Sequence, residues 1–104
     1  MDTELIEIKR RRMNMIFRRV CKLFEKNPKE IYLSNDKQFR ELVEIRHISM
    51  LLIRKKYPTI TLQEIATFFG KDNHATVISG INNISNVRET NRTFREKTEP
   101  LFSN

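Results

Sequence analysis

Asn73, His74, Ala75, Thr76 and Ser79 lie within seven consecutive positions and together offer a set of side chains suited to reading a base pair. An asparagine amide can donate and accept at an adenine edge, and an imidazole can bond a guanine or a phosphate. The methyl groups of Ala75 and Thr76 can meet a thymine methyl, while the Thr76 hydroxyl reaches a phosphate. This chemistry needs the group at the leading edge of a helix that enters a major groove. Exposed amides at a helix start add an attraction for phosphate. Each residue also has a purely structural role open to it. Asn73 can cap a helix, worth about 1 kcal/mol. Thr76 can bond its own helix, Ala75 can be filler, and His74 can be an ordinary surface side chain.

Other chemistries lack their residues. The chain has no Cys/His cluster for zinc, no His-Glu-x-x-His, no Gly-x-Ser-x-Gly and no convincing carboxylate pair. His47 and His74 fall on different segments with no evident acidic partner. The expectation is a protein that is not an enzyme and carries no cofactor or metal.

The elements that would position these side chains are helical. Gly occurs only twice (Gly70 and Gly80) and Pro three times (Pro28, Pro58 and Pro100), so breakers are few. Ile6, Met13, Ile16, Phe17, Val20, Leu23 and Phe24 recur at spacings of three and four, which predicts a helix over about 4–26. Asn27-Pro28 ends it, and Pro28 can open a short helical turn through Ile31. Leu33 to Lys37 reads as a loop. A second long helix is expected over about 39–56, with Leu42, Val43, Ile45, Ile48, Met50, Leu51 and Leu52 inside and Arg40, Glu41, Glu44, Arg46, His47 and Lys55 largely outside. Tyr57-Pro58 stops it.

Thr61-Leu62-Gln63-Glu64 is a capping box that starts a short helix to Phe69, closed by Gly70. Asp72 or Asn73 can cap the next helix, which offers Val77, Ile78, Ile81 and Ile84 to the core. Short helix, tight glycine turn and longer helix make a helix-turn-helix pattern. Beyond Val87 the text turns polar, a last helix anchored by Phe94 is expected, and the closing EPLFSN reads as a loose tail.

The bulk numbers fit one small domain. The chain has 104 residues, 38% of them hydrophobic, enough for one modest core. A formal charge of +7 favours a polyanionic partner. Cys21, the single cysteine, cannot form an internal disulfide and reads as a small apolar contact. No apolar run is long enough to span a membrane, and the first residues do not form a secretory signal. A reducing, cytoplasmic setting is the expectation.

Cations cluster in three places. Arg40 and Arg46 flank the start of the second long helix, and Arg54, Lys55 and Lys56 close it. Lys71 lies in the turn itself, well placed for a phosphate backbone. Lys9-Arg10-Arg11-Arg12 is the densest run, followed by Arg18 and Arg19, and can act as a flexible arm along a duplex or simply as a solvated face.

The strings IRHISMLLIRKK and LQEIATFFGKDNHATVISGINNI resemble the C-terminal DNA-binding domain of the bacterial replication initiator DnaA. The resemblance covers about 13–90 and is strongest from Leu62 to Ile84. It implies an all-α, Trp-repressor-like helical domain with a helix-turn-helix. On that footing the chain divides into a basic N-terminal extension of the first helix (1–12), the DnaA-like domain (13–95) and a loose tail (96–104). The resemblance implies base contacts at Asn73, His74, Ala75 and Thr76, which fall on the family's Asp-His-Thr-Thr. It implies minor-groove and phosphate contacts at Lys37, Gln38 and Arg40, and further phosphate contacts at Arg46, Arg54, Lys55 and Lys71. Gln38 stands in place of the family's minor-groove arginine unless Lys37 or Arg40 serves instead. Asp72 and Glu44 stand where the family has arginines, and Asn82 and Asn83 replace a basic pair. The usual origin repeat is therefore not assumed as the target.

No Gly-rich phosphate loop of the GxxxxGK type occurs in the chain, so ATP-driven assembly is not expected of it. The expectation is a standalone, monomeric binder of double-stranded DNA with sequence preference from its quartet, nucleoid-associated or encoded by a phage or mobile element. A role in replication initiation or its regulation, with a replication protein as a further partner, accompanies it. The competing reading is a protein-interaction module on the same scaffold. A continuous positive face through Lys71, Arg46 and Arg40 would favour DNA, and an apolar patch there would favour protein.

Overall fold

The computed structural model describes residues 3–33 and 40–103. Among them it has six helices and no strand: α1 (Thr3–Leu23), α2 (Pro28–Leu33), α3 (Arg40–Lys56), α4 (Leu62–Phe68), α5 (His74–Thr90) and α6 (Arg92–Phe102). The all-α expectation holds, with a helix-turn-helix formed by α4 and α5.

The apolar stripe of α1 is buried from Met13 onward, through Ile16, Phe17, Val20 and the following Phe24. Ile6 continues the stripe in sequence but is 45% exposed, because the first turns of α1 run past most of the core. The helix closes as Glu25 takes a left-handed φ of 56° and the Lys26 amide donates to the Cys21 carbonyl at 2.9 Å. Asn27 then caps α2, its Oδ1 accepting from the Lys29 amide at 2.9 Å. Cys21 is buried, and desolvation pushes its thiol up to about 11, in keeping with an apolar contact and not a nucleophile.

Helix α3 is the hub. Leu42, Ile45, Ile48, Met50, Leu51, Leu52 and Ile53 are all buried, too many for one stripe, so the helix is covered on several sides. Even Ser49 is buried, its hydroxyl donating to the Ile45 carbonyl at 2.7 Å. Helices α1 and α5 both pack on α3, and each also packs on α4 and α6. They share little or no direct contact with each other.

The Thr61 box forms in full. The Glu64 amide donates to Thr61 Oγ1 at 3.1 Å, and the Thr61 amide donates to the Glu64 carboxylate at 2.8 Å. The bond from the Thr61 amide holds the Glu64 carboxyl below its usual range, and the Lys9 ammonium beside it adds to the lowering. Gly70, at φ +69°, allows the Lys71 amide to reach the Ala66 carbonyl at 2.8 Å. Phe69 packs edge-on to Phe17 with ring centroids 5.7 Å apart, which ties α4 to α1.

One expectation fails at the C-terminal end. The loose C-terminal tail is instead the second half of α6, capped by Asn91, with Thr98 and Leu101 buried and Pro100 inside the helix. Pro100 removes one amide from the ladder, but the turn is held by burial of Leu101 and by the Ser103 amide donating to Glu99 at 3.0 Å. At the other end the basic run Lys9–Arg12 lies within α1, inside the helix expected over about 4–26, and not in a flexible arm. Lys9 pairs with Glu64 of the capping box at 3.1 Å, and the Arg12 guanidinium lies 5.1 Å from the centre of the Tyr57 ring.

Candidate nucleic-acid interface

The start of α5 is built by local rules. Asn73 has extended backbone torsions and its Oδ1 accepts from the Ala75 amide at 2.8 Å, so it is the N-cap. That bond occupies the side-chain oxygen and leaves the amide NH2 as the group that can donate outward. His74, Ala75, Thr76 and Ser79 are all exposed. Val77, Gly80 and Ile84 face inward. At about 100° per residue, Ala75, Ser79, Asn82 and Asn86 run along the middle of the outer face. His74 and Ile78 form one flank, and Thr76 and Asn83 the other.

Ile78 corrects a core expectation: it is 40% exposed, and Ile81 is only partly buried against the core. An isoleucine beside His74 and Ala75 adds an apolar contact to an otherwise polar face.

Among the predicted cations, Arg46 and Lys71 are brought together. Both lie near enough to His47 to lower its pKa, on top of the larger lowering from burial. Arg46 and His47 are half-buried, where the sequence pattern placed them outside. Burial also lowers the Arg46 pKa, although a guanidinium keeps its proton. Glu44 is half-buried too, and desolvation raises its carboxyl. Arg40 is exposed and stands two helical turns before His47 on the same side of α3.

Arg54 and Lys55 have other attachments. The Arg54 guanidinium donates to the carbonyls of Pro58 at 3.3 Å and Ile60 at 3.4 Å, bracing the turn that leads into α4. Lys55 places its ammonium 5.9 Å from the centre of the Phe102 ring, where Arg88 from the last turn of α5 also stacks. Lys55 thus belongs with the far end of α5 and not with its start. Lys37 and Gln38 lie outside the described residues.

Two residues that the sequence pattern did not assign to the site control its seating. A Cβ built on Gly80 would lie 2.7 Å from His47 Cδ2 and 3.1 Å from Met50 Sδ. The absence of a side chain at Gly80 lets α5 sit directly on the His47 ring. A glycine inside a predicted helix costs about 1 kcal/mol relative to alanine, and that cost was the available signal of a close approach.

The fold and the exposed start of α5 define a small helical domain of the helix-turn-helix class. The chain belongs to the bacterial DnaA protein helix-turn-helix family, whose model matches residues 13–84. It is similar to the chromosomal replication initiator protein DnaA of Porphyromonas gingivalis strains ATCC 33277 and W83, at 32% identity over 88 residues in each case. That match covers 82% of this chain and 18% of each relative. No solved structure matches it. Among the described residues, no helix is long and apolar enough to cross a membrane, and no cluster of His, Cys, Asp or Glu could hold a metal.

Proposed function

We propose that this chain binds double-stranded DNA with sequence preference, seating the start of α5 in a major groove. The observation that carries this reading is the exposed Asn73–Thr76 quartet beside the cations Arg46 and Lys71. The His74 imidazole, the Asn73 amide NH2 and the methyls of Ala75 and Thr76 read base edges. Lys71, Arg46 and Arg40 hold phosphates on the flank toward α3, and the remaining donors of Arg54 serve a neighbouring phosphate. Lys37 and Gln38 serve the minor groove or the backbone. No step in this activity needs a catalytic group or a cofactor.

Family membership supports a place in replication initiation or its regulation, with one chain acting on each site and a replication protein as a further partner. The work would be done in the cytoplasm, at the DNA.

The test is selection of bound sequences from a random duplex pool at about 0.1 M salt, where phosphate attraction is partly screened. An enriched motif about one major groove long is the expected result. Weak, salt-sensitive retention with no enriched motif would overturn sequence preference and leave only backbone binding.

A further inference from the structure

The basic residues of α1 are not used by the proposed site, and the structure arranges them as a surface of their own. At about 100° per residue, Arg11, Arg12, Met15, Arg18, Arg19 and Lys22 fall within a sector roughly 120° wide. All six are exposed, Met15 at 68%. No acidic residue occurs between Glu7 and Glu25. Among the described residues Arg11 has one exposed ion pair, with Glu7 at 3.8 Å, and Arg18, Arg19 and Lys22 have none. Arg12 lies over the Tyr57 ring, whereas among the described residues Arg18, Arg19 and Lys22 have no such attachment that folding would call for. Arg18 and Lys22 are spaced so that like charges disfavour the helix slightly.

The direction of this face is set by the packing around α3. Helices α1 and α5 share little or no direct contact, and each turns its own buried residues inward, Met13, Ile16, Phe17 and Val20 on α1 and Val77 and Ile84 on α5, so the α1 stripe and the start of α5 are separate exposed surfaces. The short dimensions of the domain are 31 and 25 Å. A duplex seated on α5 therefore leaves the cations of the α1 stripe to a surface that it does not use.

We infer that the outer face of α1 is a second duplex-binding surface, so that one chain bridges two segments of double-stranded DNA. The inference rests on the reading that α5 holds the first segment. From Arg11 to Lys22 the stripe is about 16 Å long at 1.5 Å per residue. A backbone rising 3.4 Å per base pair passes about five phosphates over that length. Five cations on a straight helix match that row. The surface offers no set of hydrogen-bonding side chains for base edges, so the second segment is held through phosphates without sequence preference.

The experiment captures the full chain on a bead-bound duplex at about 0.1 M salt, then adds a labelled second duplex. The comparison is with a variant carrying Arg11→Gln, Arg18→Gln, Arg19→Gln and Lys22→Gln, all exposed positions, with its fold checked by circular dichroism. The wild type is expected to capture the second duplex. The variant is expected to bind the first duplex nearly as well and to lose about tenfold or more of the second. Salt dependence of capture should flatten by roughly three to four units, near 0.9 per lost contact. Equal capture by the variant overturns the inference, because another surface or a second copy would then be bridging. First-duplex binding without capture by the wild type overturns it and leaves the α5 reading standing. Capture of labelled polyglutamate in place of duplex overturns it in favour of an acidic protein partner. Failure to bind any duplex removes the α5 reading and this inference with it.

Discussion

The last turn of α5 is closed by its neighbours. Arg88 stacks 3.8 Å from the centre of the Phe102 ring, donates to Thr98 at 3.1 Å and pairs with Glu99 at 2.9 Å. The first turn of the same helix is open. His74, Ala75 and Thr76 are exposed, Asn73 commits only its oxygen to the cap, and Arg46 and Lys71 stand close to His47. One end neutralises its cation with a partner from α6. The other brings Arg46 and Lys71 close enough to a half-buried imidazole to lower its pKa beyond the effect of burial. A phosphate backbone set against that end would be attracted by both charges.

The largest expected effect separates the two ends. Phe94→Ala removes a buried anchor of α6 and should cost about 3–5 kcal/mol in urea unfolding, with duplex affinity of the folded fraction unchanged. A parallel loss of affinity would show that the ends are coupled. His74→Ala should cost about 1–3 kcal/mol on the selected sequence and little on random duplex, with stability unchanged. Equal loss on both duplexes would remove His74 from the base readers.

Gly80→Ala tests how α5 is seated. The new methyl collides with the His47 ring, while alanine recovers about 1 kcal/mol of helix propensity, so stability should change little. Affinity for the selected duplex should fall as the overpacked helix shifts outward. Pairing it with His47→Ala should restore binding, and a loss that persists in the double variant would break the seating argument. Thr61→Ala should lower stability by about 1 kcal/mol, read as a shifted urea midpoint at constant slope.

The smallest effect is a pH dependence. Burial first, then the charges of Arg46 and Lys71, lower the His47 pKa below the usual imidazole value of 6.5. The unfolded chain therefore binds the proton more readily. Stability should be full above about pH 6.5 and decline as pH falls toward the lower folded value. His47→Gln should flatten that part of the profile. Glu64 acts in the same direction but lower, because its depressed carboxyl loses its contribution only as pH falls through the carboxylate range. A decline unchanged by His47→Gln would assign the effect elsewhere.

Much of the candidate site is legible in the sequence, and the legible parts share a cause. The Thr61 box, the Gly70 turn and the Asn73 cap each depend on atoms a few residues apart, so residue type and spacing suffice to predict them. Ile6 and Ile78 were not legible as exposed residues. A stripe keeps its period when the helix runs beyond its partner, and a residue at the edge of the stripe can fall on either side. Pro100 and the residues after it looked like a tail, since local rules alone disfavour a helix there. Burial of Leu101 and the stacking of Arg88 on Phe102 decide otherwise.

By itself the sequence determined the helical class, the helix-turn-helix and the quartet at the start of α5, because helix periodicity and capping are short-range. Only the tertiary structure decided which cations stand beside that quartet. It joined Lys9 to Glu64 across 55 positions, drew Lys55 toward Phe102, and set Gly80 against His47. It also left the basic run of α1 on an exposed face with little or no direct contact to α5. Each of these depends on how α1, α5 and α6 pack around α3, and the charges and close contacts involved come from residues far apart in the chain.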